Sequence, residues 1–96
     1  MEIEVDGTLY KIKENYRDAF DKEAFLERYT DYFEGYDYIV GDIAYSKLRL
    51  KGFNKKGNKA LNKFNDFENV KKYIKENCAY DCKYFILEKL SEKNGK

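Results

Sequence analysis

The sequence contains no histidine, no proline and no tryptophan, and only two of its 96 residues are cysteine. Histidine is the usual general base at neutral pH and a common metal ligand, so its absence removes the serine and cysteine triads in their common form. Two cysteines without histidine cannot complete a structural zinc site within one chain. We therefore expect a protein that is not an enzyme and that carries no metal and no cofactor.

Long apolar segments are also missing, since the longest uninterrupted apolar run is Tyr84–Leu87. A helix that crosses a bilayer needs roughly 20 such residues. The first residues, MEIEVDG, lack the basic start and apolar core of a signal peptide. These absences predict a cytoplasmic protein with no membrane partner.

The two cysteines, Cys78 and Cys82, are expected to be free thiols packed as small hydrophobic side chains in a reducing compartment. A reversible disulfide between them is one alternative, and a zinc ion shared across a dimer is another. The spacing does not decide whether these residues have a redox role.

The composition that is present suits one globular domain. Apolar residues make up 43% of the chain and charged residues 39%, which is too apolar for a disordered protein. We expect a single domain over residues 1–90 and a frayed tail over residues 91–96. The sequence does not give the oligomeric state, and a monomer is the default expectation.

In the first third of the chain, residue patterns predict a hairpin and then a helix. A type I′ turn at Asp6-Gly7 connects alternating strands at residues 2–5 and 8–13. Asp21 is the expected N-cap of a helix that ends at Gly35. One apolar stripe of this helix is expected in the core, and its members are Phe25, Tyr29, Tyr32 and Phe33.

The rest of the chain predicts two strands, a loop, a helix and a last strand. The strand that starts at Tyr36 is expected to break at Gly41-Asp42, and the alternating segment 47–53 forms the next strand. Residues 54–65, rich in lysine and asparagine, are typical of an exposed loop. The apolar run of residues 84–87 predicts the central strand of the sheet.

The resulting order is β-β-α-β-β-α-β, which predicts the α+β class. We expect a single, mostly antiparallel five-stranded sheet with two helices packed on it. Because each helix must bury one stripe, both are expected on the same face of the sheet.

Three segments resemble known proteins. They are ENYRDAFDKEAFLERY at 14–29, YDYIVGDIAYSKLRLKGF at 36–53 and NCAYDCKYFILEK at 77–89. With these segments, the chain resembles the YutD-like family of small bacterial proteins. The resemblance implies a fold of mixed strands and helices. Because the activity of that family is uncharacterised, the resemblance implies no catalytic residue.

Charge is segregated along the chain, although the net charge is only +1. Residues 1–42 carry twelve acidic and five basic side chains, whereas residues 43–65 carry seven basic side chains and no acidic one. Such segregation bears more on binding partners than the net charge does.

The basic segment is the leading candidate for a binding site. Alternate residues of the predicted strand lie about 6.6 Å apart, close to the spacing of phosphates along a nucleic-acid strand. Neighbouring aromatic rings can stack on bases. The predicted binding residues are Tyr45, Lys47, Arg49, Lys51, Phe53, Lys55, Lys56 and Lys59.

These residues favour a non-enzymatic binding module for RNA or another polyanion. One alternative is a protein-interaction or scaffold domain that binds no nucleic acid, for which an acidic protein is the expected partner. The other alternative is an ordinary solvated face, because lysines commonly occupy the water side of an alternating strand.

Asp42 is the second candidate, as a polar site at the predicted strand break. Such a turn can present a carboxylate for catalysis or metal binding. The alternative is that the carboxylate only accepts hydrogen bonds from its own turn. A small enzyme site made of Asp42, Tyr45 and Arg49 remains the minor alternative.

Overall fold

Five strands form one sheet in the computed structural model, which describes residues 2–77 and 82–91. In chain order the strands are β1 (Glu2–Val5), β2 (Thr8–Tyr16), β3 (Tyr38–Ala44), β4 (Lys47–Phe53) and β5 (Lys83–Ser91). Their order across the sheet is β1-β2-β5-β3-β4, and every neighbouring pair is antiparallel. The predicted α+β class and the central position of β5 are confirmed.

The helices pack on both faces of this sheet. They are α1 (Lys22–Arg28), a 3₁₀ helix (Asp31–Gly35), a second 3₁₀ helix (Phe67–Asn69) and α2 (Val70–Asn77). The expectation that both α-helices share one face is wrong. Ile39 and Val40 are neighbours on β3 that point to opposite faces, and both are at most 1% exposed. Because both faces of the sheet are apolar, each face must be covered by a helix to be shielded from water.

Two separate cores result, one on the face covered by α1 and one on the face covered by α2. The buried members of the first are Val5, Tyr10, Ala19, Phe25, Tyr29, Phe33, Ile39, Phe85 and Leu87. The buried members of the second are Tyr38, Val40, Phe53, Val70, Ile74 and Ile86. The central strands β3 and β5 contribute to both cores and are therefore closed on both faces.

The first hairpin forms as its turn predicts. Asp6 and Gly7 have φ angles of 51° and 84°, as a type I′ turn requires, and Val5 pairs with Thr8. Strand β2 continues to Tyr16, three residues beyond the predicted end, because it pairs with β5 along its length.

The predicted helix after the hairpin is shorter and broken. The side chain of Asp21 caps α1 by accepting a 3.0 Å hydrogen bond from the amide of Glu23, as expected. However, α1 ends at Arg28 instead of Gly35, and Tyr29 is extended. The reason is tertiary: the Tyr29 hydroxyl lies 3.1 Å from that of Tyr10.

The apolar stripe of that segment is confirmed in part. Phe25, Tyr29 and Phe33 are buried, at 9% exposure or less. Tyr32 is 65% exposed, so its assignment to the core is wrong. The change from α-helix to 3₁₀ helix alters the period of the stripe and turns this ring outward.

Strand β3 does not break at Gly41-Asp42 as predicted, but continues to Ala44. The turn comes at Tyr45-Ser46, where both residues have positive φ angles, 54° and 65°. Gly41 is needed for packing, because a Cβ atom there would lie 2.2 Å from the ring of Phe85. The glycine therefore marks a close approach within a strand.

The segment between β4 and α2 is exposed only in part. Asn54 and Asn65 are buried, and the Asn54 amide donates a 2.6 Å hydrogen bond to the Asn65 carbonyl. The side-chain oxygen of Asn54 also accepts hydrogen bonds from the Asp37 amide and from Asn58. Asparagine hydrogen bonds thus fix both ends of the segment and leave its lysines in water.

Cys82 forms a disulfide bond, so the expectation of a free thiol is wrong for this residue. The expectation was based on a reducing cellular compartment, and the compartment does not indicate which sulfur atoms the fold brings close together. Cys78 and residues 92–96 of the predicted tail lie outside the described residues, and Ser91 belongs to β5.

No helix in the described part of the chain is long and apolar enough to cross a membrane. The cytoplasmic location stays a prediction.

Candidate binding site at the basic edge

Strand β4 forms one edge of the sheet, and the predicted binding residues lie on it or next to it. Its register pairs Lys47 with Ala44 and Arg49 with Asp42, so its odd-numbered side chains share one face. The structure therefore brings the basic stripe together, as the alternation predicts. That face is the one covered by α2.

Arg49 is held in an ion pair with Asp42. The Nε atom of Arg49 donates to Asp42 Oδ1 at 3.0 Å, and its Nη2 atom donates to Asp42 Oδ2 at 2.9 Å. The Asp42 side chain is 1% exposed. The same guanidinium donates a 2.7 Å hydrogen bond to the carbonyl of Asn77, at the end of α2. The hydrogen bonds to Asp42 and the negative charge of its carboxylate raise the pKa of Arg49. Arg49 thus joins the sheet to the helix.

Asp42 consequently does not present a carboxylate at a turn, and the expectation of an open polar site there is wrong. Its carboxylate lies within a continuous strand, below Arg49. Tyr45 is 92% exposed at the tip of the hairpin. Asp42, Tyr45 and Arg49 are absent from the lining of the two cavities that are described below for the described part of the chain.

Phe53 is 1% exposed and belongs to the core under α2, where its ring packs edge-on against that of Tyr73. It is therefore not available to stack on a base, contrary to its assignment as a binding residue. Lys51 lies over both rings, with its Nζ atom 5.3 and 5.7 Å from their centroids. Half-buried Lys51 still has its ammonium group at the rim of that core.

The remaining predicted residues form two groups at opposite ends of β4, which are about 20 Å apart for a strand of this length. Tyr45 and Lys47 are exposed at the hairpin tip. Lys55, Lys56 and Lys59 are exposed in the following segment. Lys56 makes a 3.3 Å ion pair with Glu68, but both side chains are well exposed and such pairs are weak.

Two exposed aromatic residues that were not predicted lie beside β4. Phe64 is 71% exposed and Tyr32 is 65% exposed. A cavity of about 430 Å³ on the α2 face is lined by Phe64 and by Lys63 and Lys72. A second cavity of about 210 Å³ on the α1 face is lined by Phe64 and Tyr32.

Phe64 therefore stands between two depressions at one edge of the sheet. One feature of the sequence could have indicated Phe64, since it is an aromatic residue among polar ones. The exposure of Tyr32 was not predicted, because an α-helical period places this residue on the buried stripe.

We call residues 45–65 together with Lys72 the basic edge. Within the described residues, six of its lysines form no ion pair: Lys47, Lys51, Lys55, Lys59, Lys63 and Lys72. Glu76 is the acidic side chain on the lining of the larger cavity. Glu2 and Glu4 lie on β1, at the opposite edge of the sheet. The basic edge thus carries a local excess of positive charge, although Asp37 and Asp42, from the acidic first part of the sequence, make contacts within it.

The backbone of β4 is also open on its outer side. Strand β4 pairs with β3 alone, and the described residues provide no backbone hydrogen bond to the outer side of Leu48 or Leu50. Both side chains are half-buried against the α1 core. The basic edge combines unpaired lysines, exposed rings and free peptide groups.

Comparison with known proteins gives consistent results. Residues 4–88 match a family model described as "Putative antitoxin YutD-like". A relative from Bacillus subtilis (strain 168), "Putative antitoxin YutD", is 38% identical over 88 residues, which cover 92% of this chain and 97% of the relative. The solution NMR structure of protein yutD from B. subtilis superposes with a TM-score of 0.79 at 36% identity, covering 96% of this chain and 84% of that one.

Proposed function

This chain belongs to the YutD-like family, and we propose that it is a binding module that holds an acidic protein partner at the basic edge. The description of the family as an antitoxin favours a role exerted on a partner. The observation that carries the proposal is the group of six lysines at the β4 edge that form no ion pair with any other described residue.

The cover on both faces of the sheet supports a protein partner over RNA. Modules that bind single strands commonly lay bases across aromatic rings on an open sheet face. Here β3 and β5 are closed on both faces, and Phe53 is buried. The exposed ring of Phe64, between two cavities and next to lysines, is typical of the apolar centre and polar rim of a protein interface.

RNA or another polyanion is the second candidate. The observation in its favour is the exposed group of Lys55, Lys56 and Lys59, which is suited to phosphates. Contacts of this kind carry little sequence information and weaken steeply with salt.

Photo-crosslinking in the native host separates the two candidates. The variant Phe64→p-benzoylphenylalanine keeps an aromatic ring at the basic edge, and the same group at exposed Lys11 on β2 is the matched control. We expect the group at position 64, and not that at position 11, to crosslink a protein through an acidic segment. Mass spectrometry of the adduct identifies that segment.

A charge test completes the experiment. Adding Lys63→Glu and Lys72→Glu should reduce the crosslink by roughly tenfold, because like charges then face each other across the interface. An adduct that is destroyed by ribonuclease would favour the RNA candidate. Equal protein adducts from positions 64 and 11, or an adduct insensitive to the two charge reversals, would contradict the proposal.

A further inference from the structure

The direction of each peptide group on β4 follows from the hairpin that contains it. A two-residue turn of this type closes on a hydrogen-bonded pair, here Ala44 and Lys47. Hydrogen-bonded and non-bonded pairs then alternate along an antiparallel ladder. Arg49 and Lys51 therefore direct their peptide groups to β3, and the residues between them direct theirs to the open side.

Leu48 and Leu50 thus turn their N–H and C=O groups outward at the edge of the sheet. Among residues 2–77 and 82–91, none forms a backbone hydrogen bond to this side of them. Towards Gly52 the edge closes, because this residue is buried and residues 62–65 approach it. The free stretch is Lys47–Lys51.

We propose that an extended segment of the partner adds to β4 as a sixth strand, antiparallel to it, over this stretch. The inference rests on the proposed function, since it names how the acidic partner is held. All four strand pairs of the sheet are antiparallel. Antiparallel pairing is slightly more stable per residue than parallel pairing, which favours an antiparallel added strand. Open peptide groups on an edge strand are a template for such pairing.

The side chains beside the free edge specify the chemistry of the added strand. On the α2 face its neighbours are Lys47 and Lys51, which form no ion pair with a described residue, and Arg49, which is already paired with Asp42. On the α1 face they are Leu48 and Leu50. Cross-strand pairs of opposite charge stabilise a sheet, and so do apolar pairs. The partner segment therefore alternates acidic and apolar residues, with the apolar ones opposite the leucines.

Charge also argues against pairing between two copies of β4. An antiparallel β4–β4 contact would place basic residues opposite basic residues, which is destabilising. The competing occupant is β1 of a second copy, because Glu2, Ile3, Glu4 and Val5 have the required alternation. With the α1 faces of both copies on the same side, which places Ile3 and Val5 beside the leucines, that strand would run parallel to β4, since β1 and β4 point the same way. It would also leave an open edge at each end of the assembly.

The test uses the peptide Glu-Val-Glu-Val-Glu-Val-Glu, with Glu-Glu-Glu-Glu-Val-Val-Val as the control of equal composition. Amide hydrogen exchange of the full chain is followed by NMR. We expect the alternating peptide to slow exchange at Leu48 and Leu50 by about tenfold or more, as new backbone hydrogen bonds do. Arg49 and Lys51 already bond to β3 and should change little.

Two methylated peptides test the hydrogen bonds directly. Opposite Leu48 and Leu50, an antiparallel strand directs its valine amides to β4 and its glutamate amides away. N-methylation of the valines should therefore weaken binding by about tenfold or more, because it removes those hydrogen bonds. N-methylation of the glutamates should change affinity by less than about threefold, within the range of a lost surface contact.

The outcomes separate this inference from the proposed function. Equal effects of the two methylations, or no binding of the alternating peptide, would overturn strand addition. The proposed function would then still stand if the group at position 64 crosslinks an acidic protein. Self-association in sedimentation without peptide, with Leu48 and Leu50 protected, would identify a second copy as the occupant and overturn the separate partner.

Discussion

The two edge strands of the sheet share one sequence pattern but differ in their surroundings. Both β1 and β4 alternate charged and apolar residues, and in both the apolar side chains pack on the α1 face. On β1 the charged residues Glu2 and Glu4 are exposed. On β4 the middle charge, Arg49, bonds to buried Asp42 and to the end of α2. The difference arises because α2 packs beside β4 and contributes no buried contact to β1.

Strand alternation therefore indicates which residues share a face, but it does not indicate what covers that face. A basic side chain above a buried carboxylate contributes to folding, whereas one that projects into water is available to a partner. On the basic edge, Arg49 is of the first kind, and Lys47 and Lys63 are of the second.

Replacing Arg49 should have the largest effect on stability. Arg49→Met leaves the Asp42 carboxylate buried without its cation, and the loss of one partner of a buried pair costs about 3 kcal/mol or more. Because Arg49 is 47% exposed and water can approach, we expect about 2–3 kcal/mol in the free energy of unfolding, measured by urea denaturation.

The controls for this prediction come from both edges. Lys47→Met on β4 and Glu4→Gln on β1 each remove one exposed charge, and each should change stability by less than about 0.5 kcal/mol. If Arg49→Met costs no more than Lys47→Met, the ion pair with Asp42 does not stabilise the fold. The distinction between the two edges would then be lost.

The α1 face of β4 can be tested through Gly52. A Cβ atom at this position would lie 2.2 Å from the ring of Tyr36, so Gly52→Ala must displace the ring. We expect a loss of about 1–3 kcal/mol in the free energy of unfolding, the usual cost of overpacking. Gly35→Ala is the matched control, since nothing lies within 4 Å of the added atom. Equal effects of the two changes would mean that β4 is not tightly packed on this face.

Local patterns predicted those parts of the fold that depend on neighbours in sequence. The Asp6-Gly7 turn, the Asp21 cap and the alternation of β4 each follow from a few adjacent residues. Predictions failed where distant contacts decide. Tyr29 leaves the helix to reach Tyr10, and Gly41 stays in β3 beneath the ring of Phe85.

The candidate site was predicted only in part for the same reason. The sequence located the basic segment and the shared face of Lys47, Arg49 and Lys51. It could not indicate that Phe53 points into the core, because alternation alone does not place α2 on that face. The open backbone of β4 depends on the strand order, which no local pattern contains.

The segment that follows β4 offers a test of intermediate size. Asn54→Ala removes the side-chain oxygen that accepts hydrogen bonds from the Asp37 backbone amide and from Asn58, and it leaves that partly buried backbone amide without this acceptor. We expect a loss of about 1–2 kcal/mol in the free energy of unfolding. Asn69→Ala is the control, because its exposed side chain makes one long bond of 3.5 Å to the Lys63 carbonyl. Equal losses would mean that Asn54 does not fix the backbone of the segment 54–65, which carries lysines of the basic edge.

The smallest expected effect concerns the ion pair on the β2 side of α2. Lys71 Nζ lies 2.7 Å from Glu14 Oε1, and Tyr84 donates to the same carboxylate. Burial tends to raise the pKa of Glu14, but the hydrogen bonds from Lys71 and Tyr84 outweigh it and lower the pKa below 4.5. Because the pKa of Glu14 is lower in the folded protein, the ion pair contributes fully to stability at pH values above the pKa of Glu14 in the unfolded chain. Its contribution is lost as pH falls through the lowered pKa of the folded protein.

Glu14→Gln should therefore cost about 0.5 kcal/mol at pH 7, because the Lys71 side chain is 63% exposed and solvent screens the pair. Urea denaturation at several pH values should show this difference shrinking towards zero as pH falls through the lowered pKa of Glu14. A loss as large as that of Arg49→Met would mean that an exposed pair fixes α2 as firmly as the buried pair at β4. Burial of Asp42 would then not explain the contrast between the two sides of the sheet.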